Sequence, residues 1–235
     1  MKIIRLYTFM ALGWLAVVIF TPIVILASLG GHRVACDAMR LWSHSALWLM
    51  RTICGLDFRV VGVENIPAEP CVVFMKHSSV YETLVQQILF PSQCWVLKRE
   101  LMWLPFFGWA VATLKPIAIK RSGGGKAVKQ VIQQGIKRLA AGITIIIFPE
   151  GTRMPKGKTR RYGVSGTLLA QEAQVKILPV AHDAGMFWPK QSYGIEPGVA
   201  TFVIGKPIDP SERGPREVNE AIQAWIQNEM HKLNA

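Results

Sequence analysis

Thr144-Ile145-Ile146-Ile147-Phe148-Pro149-Glu150-Gly151-Thr152-Arg153 is the stretch from which the architecture of this chain can be read. A short, uninterrupted apolar run bounded by turn residues has the pattern of a strand buried on both faces. Strands of that kind belong to parallel sheets covered by helices. Pro149 and Gly151 force a tight turn just past the carboxyl end of the strand, where open α/β sheets bind ligands. Arg153 then opens a basic run with Lys156, Lys158, Arg160 and Arg161, and no acid falls within 153–161. Such a loop attracts phosphate. The same residues also read as a solvated surface turn or a contact with anionic lipid.

Working outward, residues 71–75, 175–180 and 200–204 repeat the short apolar pattern, with 94–97 and 116–119 as weaker candidates. Between them lie helical patterns. One covers 83–90. A second, 126–141, places Val128, Val131, Ile132, Ile136 and Leu139 on one face and stops at Gly142. A third follows Pro215, a residue suited to a first helical position, with Val218, Ile222, Trp225 and Ile226 at helical spacing. Alternating strands and helices predict an α/β fold with a largely parallel central sheet flanked by helices.

Apolar residues make up 51% of the 235 and charged residues 18%, with 27 Lys and Arg against 15 Asp and Glu. That hydrophobicity excludes a disordered chain. Four scattered Cys (Cys36, Cys54, Cys71, Cys94) without a C-x-x-C pair exclude a disulfide scaffold and give no zinc pattern. A net charge of +12 on an apolar chain suits both nucleic acid and an anionic membrane.

The apolar excess is concentrated at the N-terminus. Residues 6–31 contain neither a formal charge nor a His. As a helix they would span ~39 Å, against a hydrocarbon core of ~30 Å, although Pro22 and the Gly30-Gly31 pair complicate that helix. A signal peptide is the competing reading, but the run exceeds the usual ~7–15-residue core. Residues 34–54 mix Trp42 and Trp48 with Arg40 and Arg51, an interfacial composition. Cations flank the first segment on both sides, so charge gives no orientation, and a hairpin is preferred over a span. Residues 1–55 are therefore read as membrane-anchoring helices and 56–235 as the catalytic α/β domain. That second part holds 22 of the basic and 14 of the acidic residues, a net +8.

The run 71–75 leads into Lys76-His77-Ser78-Ser79-Val80-Tyr81-Glu82. A His leaving a buried strand, with a carboxylate at the following helix start, suits a general base and the group that orients it. Ser79-x-x-Glu82 is equally a capping box, in which Glu82 caps the helix and His77 is an ordinary loop residue. Lys98-Arg99 abut a stretch from Trp103 to Trp109 with three aromatics beyond Trp103, read as core or as a greasy rim for a bilayer or an acyl chain. Lys120-Arg121 add two further cations. Residues 122–126 lack the phosphate-loop pattern and 163–167 lack the nucleophile elbow. His182-Asp183 is read as structural.

Taken in this order, the motifs resemble the glycerolipid acyltransferase family, and within it the 1-acyl-sn-glycerol-3-phosphate acyltransferases. The family's H-x4-D appears as His77 and Glu82, its K-x-E-L…P-x-x-G block as Lys98, Glu100, Leu101, Pro105 and Gly108, and its F-P-E-G-T-R block is complete at 148–153. Leu178-Pro179-Val180-Ala181 matches its apolar strand. Two positions depart from the usual pattern: Lys76 stands where Asn is common before the His, and Glu82 where Asp is common.

The resemblance implies the glycerolipid acyltransferase fold, with His77 removing the proton from a glycerol hydroxyl and Glu82 orienting it. It implies that Arg153, Lys98 and Arg121 hold the phosphate of lysophosphatidic acid, and that Glu150, Gly151 and Thr152 shape its pocket. The acyl donor is acyl-CoA or acyl-carrier protein, with no acyl-enzyme, no metal and no cofactor. The product is phosphatidic acid, made at the cell inner membrane with the catalytic domain facing the cytoplasm; the partners include the bilayer and no nucleic acid. An acyltransferase on another lysophospholipid or a lipid A precursor is the nearest alternative. A membrane-anchored protein that binds anionic lipid or nucleic acid is the alternative from another class.

Overall fold

A computed structural model of the chain describes residues 2–120 and 123–234. Among the described residues a seven-stranded sheet forms the centre. Its strands are β1 (Leu56–Val61), β2 (Val72–Met75), β3 (Gln93–Lys98), β4 (Ile117–Ile119), β5 (Thr144–Ile147), β6 (Ile177–His182) and β7 (Gly198–Ile204). In space they run β1-β7-β6-β2-β5-β3-β4, all neighbours parallel except β6 and β7. β2 is central, and all four of its residues are buried. Ile145–Ile147 pair with it on one side and residues 177–180 on the other.

The helices are α1 (Lys2–Ala27), α2 (His32–Leu49), α3 (Tyr81–Leu89), α4 (Phe107–Thr113), α5 (Gly125–Ala140), α6 (Ser165–Glu172), α7 (Ala184–Phe187) and α8 (Pro215–Asn234). Alternate strand residues face opposite sides, as the pleat requires. Val73, Met75, Ile146 and Val180 pack with side chains of α1, α2 and α3. Val72, Phe74, Ile145 and Ile147 pack with those of α5, α6 and α8. Each fully buried Val, Ile or Phe side chain contributes roughly 1.5–3 kcal/mol, so these two faces make the sheet the stable platform on which the loops stand.

α1 is a helix of 26 residues with Pro22 inside it. A three-residue turn at Ser28–Gly30 sends the chain back along α2. The Sγ of Cys54, in the π-helical turn Met50–Cys54 that ends α2, lies 3.9 Å from the Arg5 carbonyl, so the two helices form a hairpin. α1 also packs on α4: Val17, Phe20, Thr21 and Val24 face Phe107 and Ala110. Ile4, Tyr7, Leu15, Ile19 and Leu26 remain exposed on its outer side, as does Leu29 in the turn that follows.

Strands expected at 71–75, 94–97, 116–119, 144–148, 175–180 and 200–204 are present with ends moved by one or two residues. β1 was not anticipated. Its Leu-Asp-Phe-Arg-Val-Val sequence alternates in burial and carries two charges, as befits the last strand of the sheet, and a search for unbroken apolar runs passes over it. α6 was also missed. Gly166 lets it approach the sheet, since a Cβ there would stand 2.4 Å from the Phe74 ring.

Candidate active site

The carboxyl ends of β2 and β5 lie side by side, so the loops that follow them meet. After β5, the Gly151 N–H closes a turn onto the Phe148 carbonyl at 2.9 Å, with Gly151 at φ +71°, a conformation that suits glycine. Two hydrogen bonds lace this turn to the loop after β2. The His77 N–H donates to Glu150 Oε2 at 3.3 Å, and the Met154 N–H donates to the His77 carbonyl at 2.8 Å.

Within this frame His77 Nδ1 stands 2.9 Å from Glu82 Oε1, and the glutamate side chain is fully buried. The same oxygen accepts the N–H groups of Ser78 and Ser79, each at 2.9 Å. Glu82 therefore caps α3 and holds the imidazole at once; the two readings of the motif describe one carboxylate. Ser79 Oγ accepts the Tyr81 N–H at 3.1 Å, completing the turn into the helix. Burial pushes the Glu82 carboxyl upward. The hydrogen bond from His77, electrostatic interaction with the His182 and His77 rings and the Ser79 N–H outweigh it and hold Glu82 below the ordinary carboxylate value. An ionised Glu82 makes Nδ1 the protonated nitrogen of His77. Among the described residues no hydrogen bond engages Nε2, which is left as the basic edge. Phe148 stacks on the ring with centroids 4.1 Å apart and fixes its plane.

Beside this pair is a second one. Lys76 Nζ is buried against Glu150 Oε1 and donates to the Lys158 carbonyl at 2.9 Å. Glu150 Oε1 also accepts from Thr159 Oγ1 at 3.1 Å. The residue that departs from the family pattern thus neutralises the buried Glu150. His182, fully buried, donates through Nε2 to the Lys76 carbonyl at 2.7 Å, while its Nδ1 accepts the Ala184 N–H at 3.3 Å. Burial is the main cause holding its pKa below the ordinary value, so the ring is neutral. The Lys76–Glu150 pair is not legible in the sequence, since Lys76 stands out only as a departure from the motif and its partner lies 74 positions away; His182 is read there as structural, but not its bond to the Lys76 carbonyl.

Arg153 is half-buried, and among the described residues it has no ion-pair partner. Lys98 is exposed at the end of β3, 3.4 Å from Glu100. Arg121 lies outside the described residues. The basic run divides between two cavities. One, of about 330 Å³ at the ends of β3, β4 and β5, is lined by Leu97, Ile119, Phe148, Gly151, Arg160 and Arg161. The other, of about 310 Å³ on the β2 and β6 side, is lined by Ser78, Lys156, Lys158, Gly185 and His231 among others. Thr152 is half-buried in the turn and, like Lys98 and Arg153, lines neither cavity.

A helix-covered α/β sheet with a His–carboxylate pair and cations at its strand ends is the arrangement of an enzyme that moves a proton at its site. The model of the Acyltransferase family matches residues 57–183, and this chain belongs to that family. Over 196 residues, 82% of this chain and 76% of the other, it is 43% identical to the 1-acyl-sn-glycerol-3-phosphate acyltransferase of Pseudomonas aeruginosa. It is 26% identical, over 88% of this chain and 72% of the other, to the 1-acyl-sn-glycerol-3-phosphate acyltransferase alpha of Mus musculus. The crystal structure of the 1-acyl-sn-glycerophosphate (LPA) acyltransferase PlsC from Thermotoga maritima matches the fold with a TM-score of 0.83. That match covers 100% of this chain and 96% of that one at 21% identity, and bears on the fold alone.

Proposed function

We propose that this chain transfers a fatty acyl group from acyl-CoA or acyl-carrier protein to the sn-2 hydroxyl of 1-acyl-sn-glycerol-3-phosphate, giving phosphatidic acid. The observation that carries this reading is the His77 imidazole held at Nδ1 by the buried Glu82 with Nε2 free. Nε2 takes the proton of the acceptor hydroxyl as its oxygen bonds to the thioester carbon. The tetrahedral intermediate collapses with cleavage of the carbon–sulfur bond, and the proton passes from Nε2 to the departing thiolate. Glu82 stabilises the imidazolium between these steps. None of the four cysteines lines either cavity, and burial raises the pKa of each, to about 12 for Cys71 and Cys94, which disfavours a thiolate nucleophile.

Acceptor recognition falls to the cavity at the ends of β3, β4 and β5. Arg160, Arg161 and Gly151 line it, and it adjoins Phe148 on the His77 ring. Arg153, with no carboxylate partner among the described residues, adds a guanidinium that matches a phosphomonoester; Lys98, at the end of β3, adds an ammonium, and for Arg121 the phosphate role rests on the family resemblance alone. Assaying purified protein with lysophosphatidate, lysophosphatidylethanolamine and lysophosphatidylglycerol tests the assignment. A strong preference for lysophosphatidate is expected, and equal rates on all three would contradict it.

The segment Lys2–Gly30 is long and apolar enough to cross a bilayer, with mean hydropathy 2.5 and few buried residues. Its packing on α2 and α4 favours a hairpin immersed along one flank of the domain over a separate span. Exposed Trp48, Trp103 and Trp109 suit the headgroup level of the cytoplasmic leaflet of the inner membrane. Because CoA and acyl-carrier protein are cytosolic, the catalytic domain faces the cytoplasm. Labelling of α1 by a lipid-soluble probe is expected to rise when vesicles are added, and labelling unchanged by vesicles would contradict an immersed α1.

A further inference from the structure

The cavity on the β2 and β6 side is separate from the one assigned to the acceptor and lies against the chain that carries the same base. Lys76 and Ser78, the residues on either side of His77, are on its wall. Its mouth lies between the basic loop, through Lys156 and Lys158, and the end of α8, through Gln227, Met230 and His231. The Ser78 hydroxyl is buried at 4% exposure and has no hydrogen-bond partner among the described residues, although its own N–H is fixed on Glu82. A buried hydroxyl without a partner loses the free energy of its desolvated group unless something accepts from it. Asp183, the acid on this wall, has Oδ1 engaged by the Thr201 N–H at 2.7 Å.

The arrangement is asymmetric in a way the chemistry requires. Direct transfer without an acyl-enzyme needs both substrates bound together, approaching the base from two directions. One cavity adjoins Phe148, stacked on the face of the His77 ring; the other adjoins the main chain on either side of His77. Four of the five cations in residues 153–161 are divided between the two, Arg160 and Arg161 with the first, Lys156 and Lys158 with the second, and Arg153 lines neither. The Lys76–Glu150 pair, also bonded to the Lys158 carbonyl and the Thr159 hydroxyl, holds the loop at its division.

We propose that the cavity bounded by Ser78, Lys156, Lys158 and His231 binds the phosphopantetheine arm of the acyl donor. The assignment rests on the two-substrate reading of His77 given above. Phosphopantetheine is the chemistry that CoA and acyl-carrier protein share: a phosphate ester at one end, two amides along the arm and the thioester at the other. Lys156, Lys158 and the His231 ring meet the phosphate at the mouth. The amide and thioester carbonyls along the arm supply the acceptor that the Ser78 hydroxyl lacks, and Met186 and Met230 line the arm's apolar portions.

The test is calorimetric binding of CoA, 4′-phosphopantetheine and pantetheine to the detergent-purified full chain, two double variants and one single variant. Wild type is expected to bind both phosphorylated ligands about tenfold more tightly than pantetheine. Lys156→Ala with Lys158→Ala is expected to abolish that difference with melting unchanged, since the Lys158 carbonyl that Lys76 uses is retained. Arg160→Ala with Arg161→Ala is expected to preserve it, and Ser78→Ala to weaken all three ligands alike. Equal weakening by the Lys and Arg variants would mean general attraction and overturn the site, as would no preference for phosphate in wild type. A preference shown by CoA but not by 4′-phosphopantetheine would place the nucleotide's phosphates there and overturn the assignment to the shared arm. Binding as expected in a protein that leaves lysophosphatidate unacylated would sink the proposed acceptor and leave this site standing.

Discussion

Lys76 and His77 are consecutive, and each meets a buried carboxylate, Glu150 in one case and Glu82 in the other. The pairs differ in what is left over. The Lys76 side chain is 3% exposed and spends its donors on Glu150 and the Lys158 carbonyl. The His77 side chain is 14% exposed and keeps one ring nitrogen unengaged. A buried cation committed to a carboxylate and a carbonyl can only hold loops together. A ring with one nitrogen fixed and the other open can carry a proton. Successive residues leaving a strand point to opposite sides, so a single step along β2's exit separates a clamp from a base.

The comparison is broken most directly at His77. His77→Ala should lower kcat/KM by roughly 10³–10⁴ at unchanged melting temperature, within the range general-base removal spans. Unchanged turnover would falsify the base assignment. Lys76→Met should do the reverse, acting on stability first. It strands the Glu150 carboxylate without its cation in a buried site, which costs about 3–5 kcal/mol. Adding Glu150→Gln should recover much of that in denaturant melts, and a double variant no more stable than Lys76→Met would show that the pair is not what ties the loops.

Glu82→Gln sharpens the contrast from the other side. The amide oxygen still accepts the Ser78 and Ser79 N–H groups, and the amide nitrogen falls at Oε2, where no protein hydrogen bond is made. Stability should change little, while kcat drops about a hundredfold because the imidazolium loses its counter-charge. If the protein unfolds instead, capping was the larger of Glu82's two jobs. Arg153→Ala should be milder: about a tenfold rise in KM for lysophosphatidate with kcat nearly kept, the signature of lost ground-state binding. An unaltered KM would remove Arg153 from the acceptor site.

The legible part of the molecule was the part specified by local pattern. Thr144–Ile147 and Val72–Met75 are apolar without interruption, so their burial and their parallel sheet follow from the residues themselves. Pro149 and Gly151 announced the turn. His77 and Glu82 lie five residues apart across a helix start, close enough for spacing to imply contact. What was not legible depends on strand order. Lys76 finds Glu150 because β2 and β5 are neighbours, and His182 finds the Lys76 carbonyl because β6 is the neighbour on the other side. The division of the basic run was equally hidden, since five cations in one loop say nothing about which cavity each one faces.

The smallest expected effect concerns His182, the residue that links the two pairs through the carbonyl between them. Its ring is neutral in the fold, with Nε2 donating to Lys76 and Nδ1 accepting from Ala184. Burial, followed by smaller opposing contributions from Glu82, the Lys76 carbonyl and Asp183, leaves its folded pKa below the ordinary one. A depressed folded value means that the unfolded chain binds the extra proton first. The stability His182 contributes is therefore fully present above the unfolded value of ~6.5 and is lost as pH falls from there towards the folded value, by at most ~1.4 kcal/mol per pH unit. Glu82, also depressed, adds a loss only at the lower pH of a carboxylate. Denaturant melts between pH 7.5 and 5, on the order of the window these directions set, should show wild type declining more steeply than His182→Gln, whose amide can donate to Lys76 without titrating. Parallel slopes would mean that His182 is not the neutral brace its two hydrogen bonds describe, and the carbonyl between clamp and base would have to be held by the pairs alone.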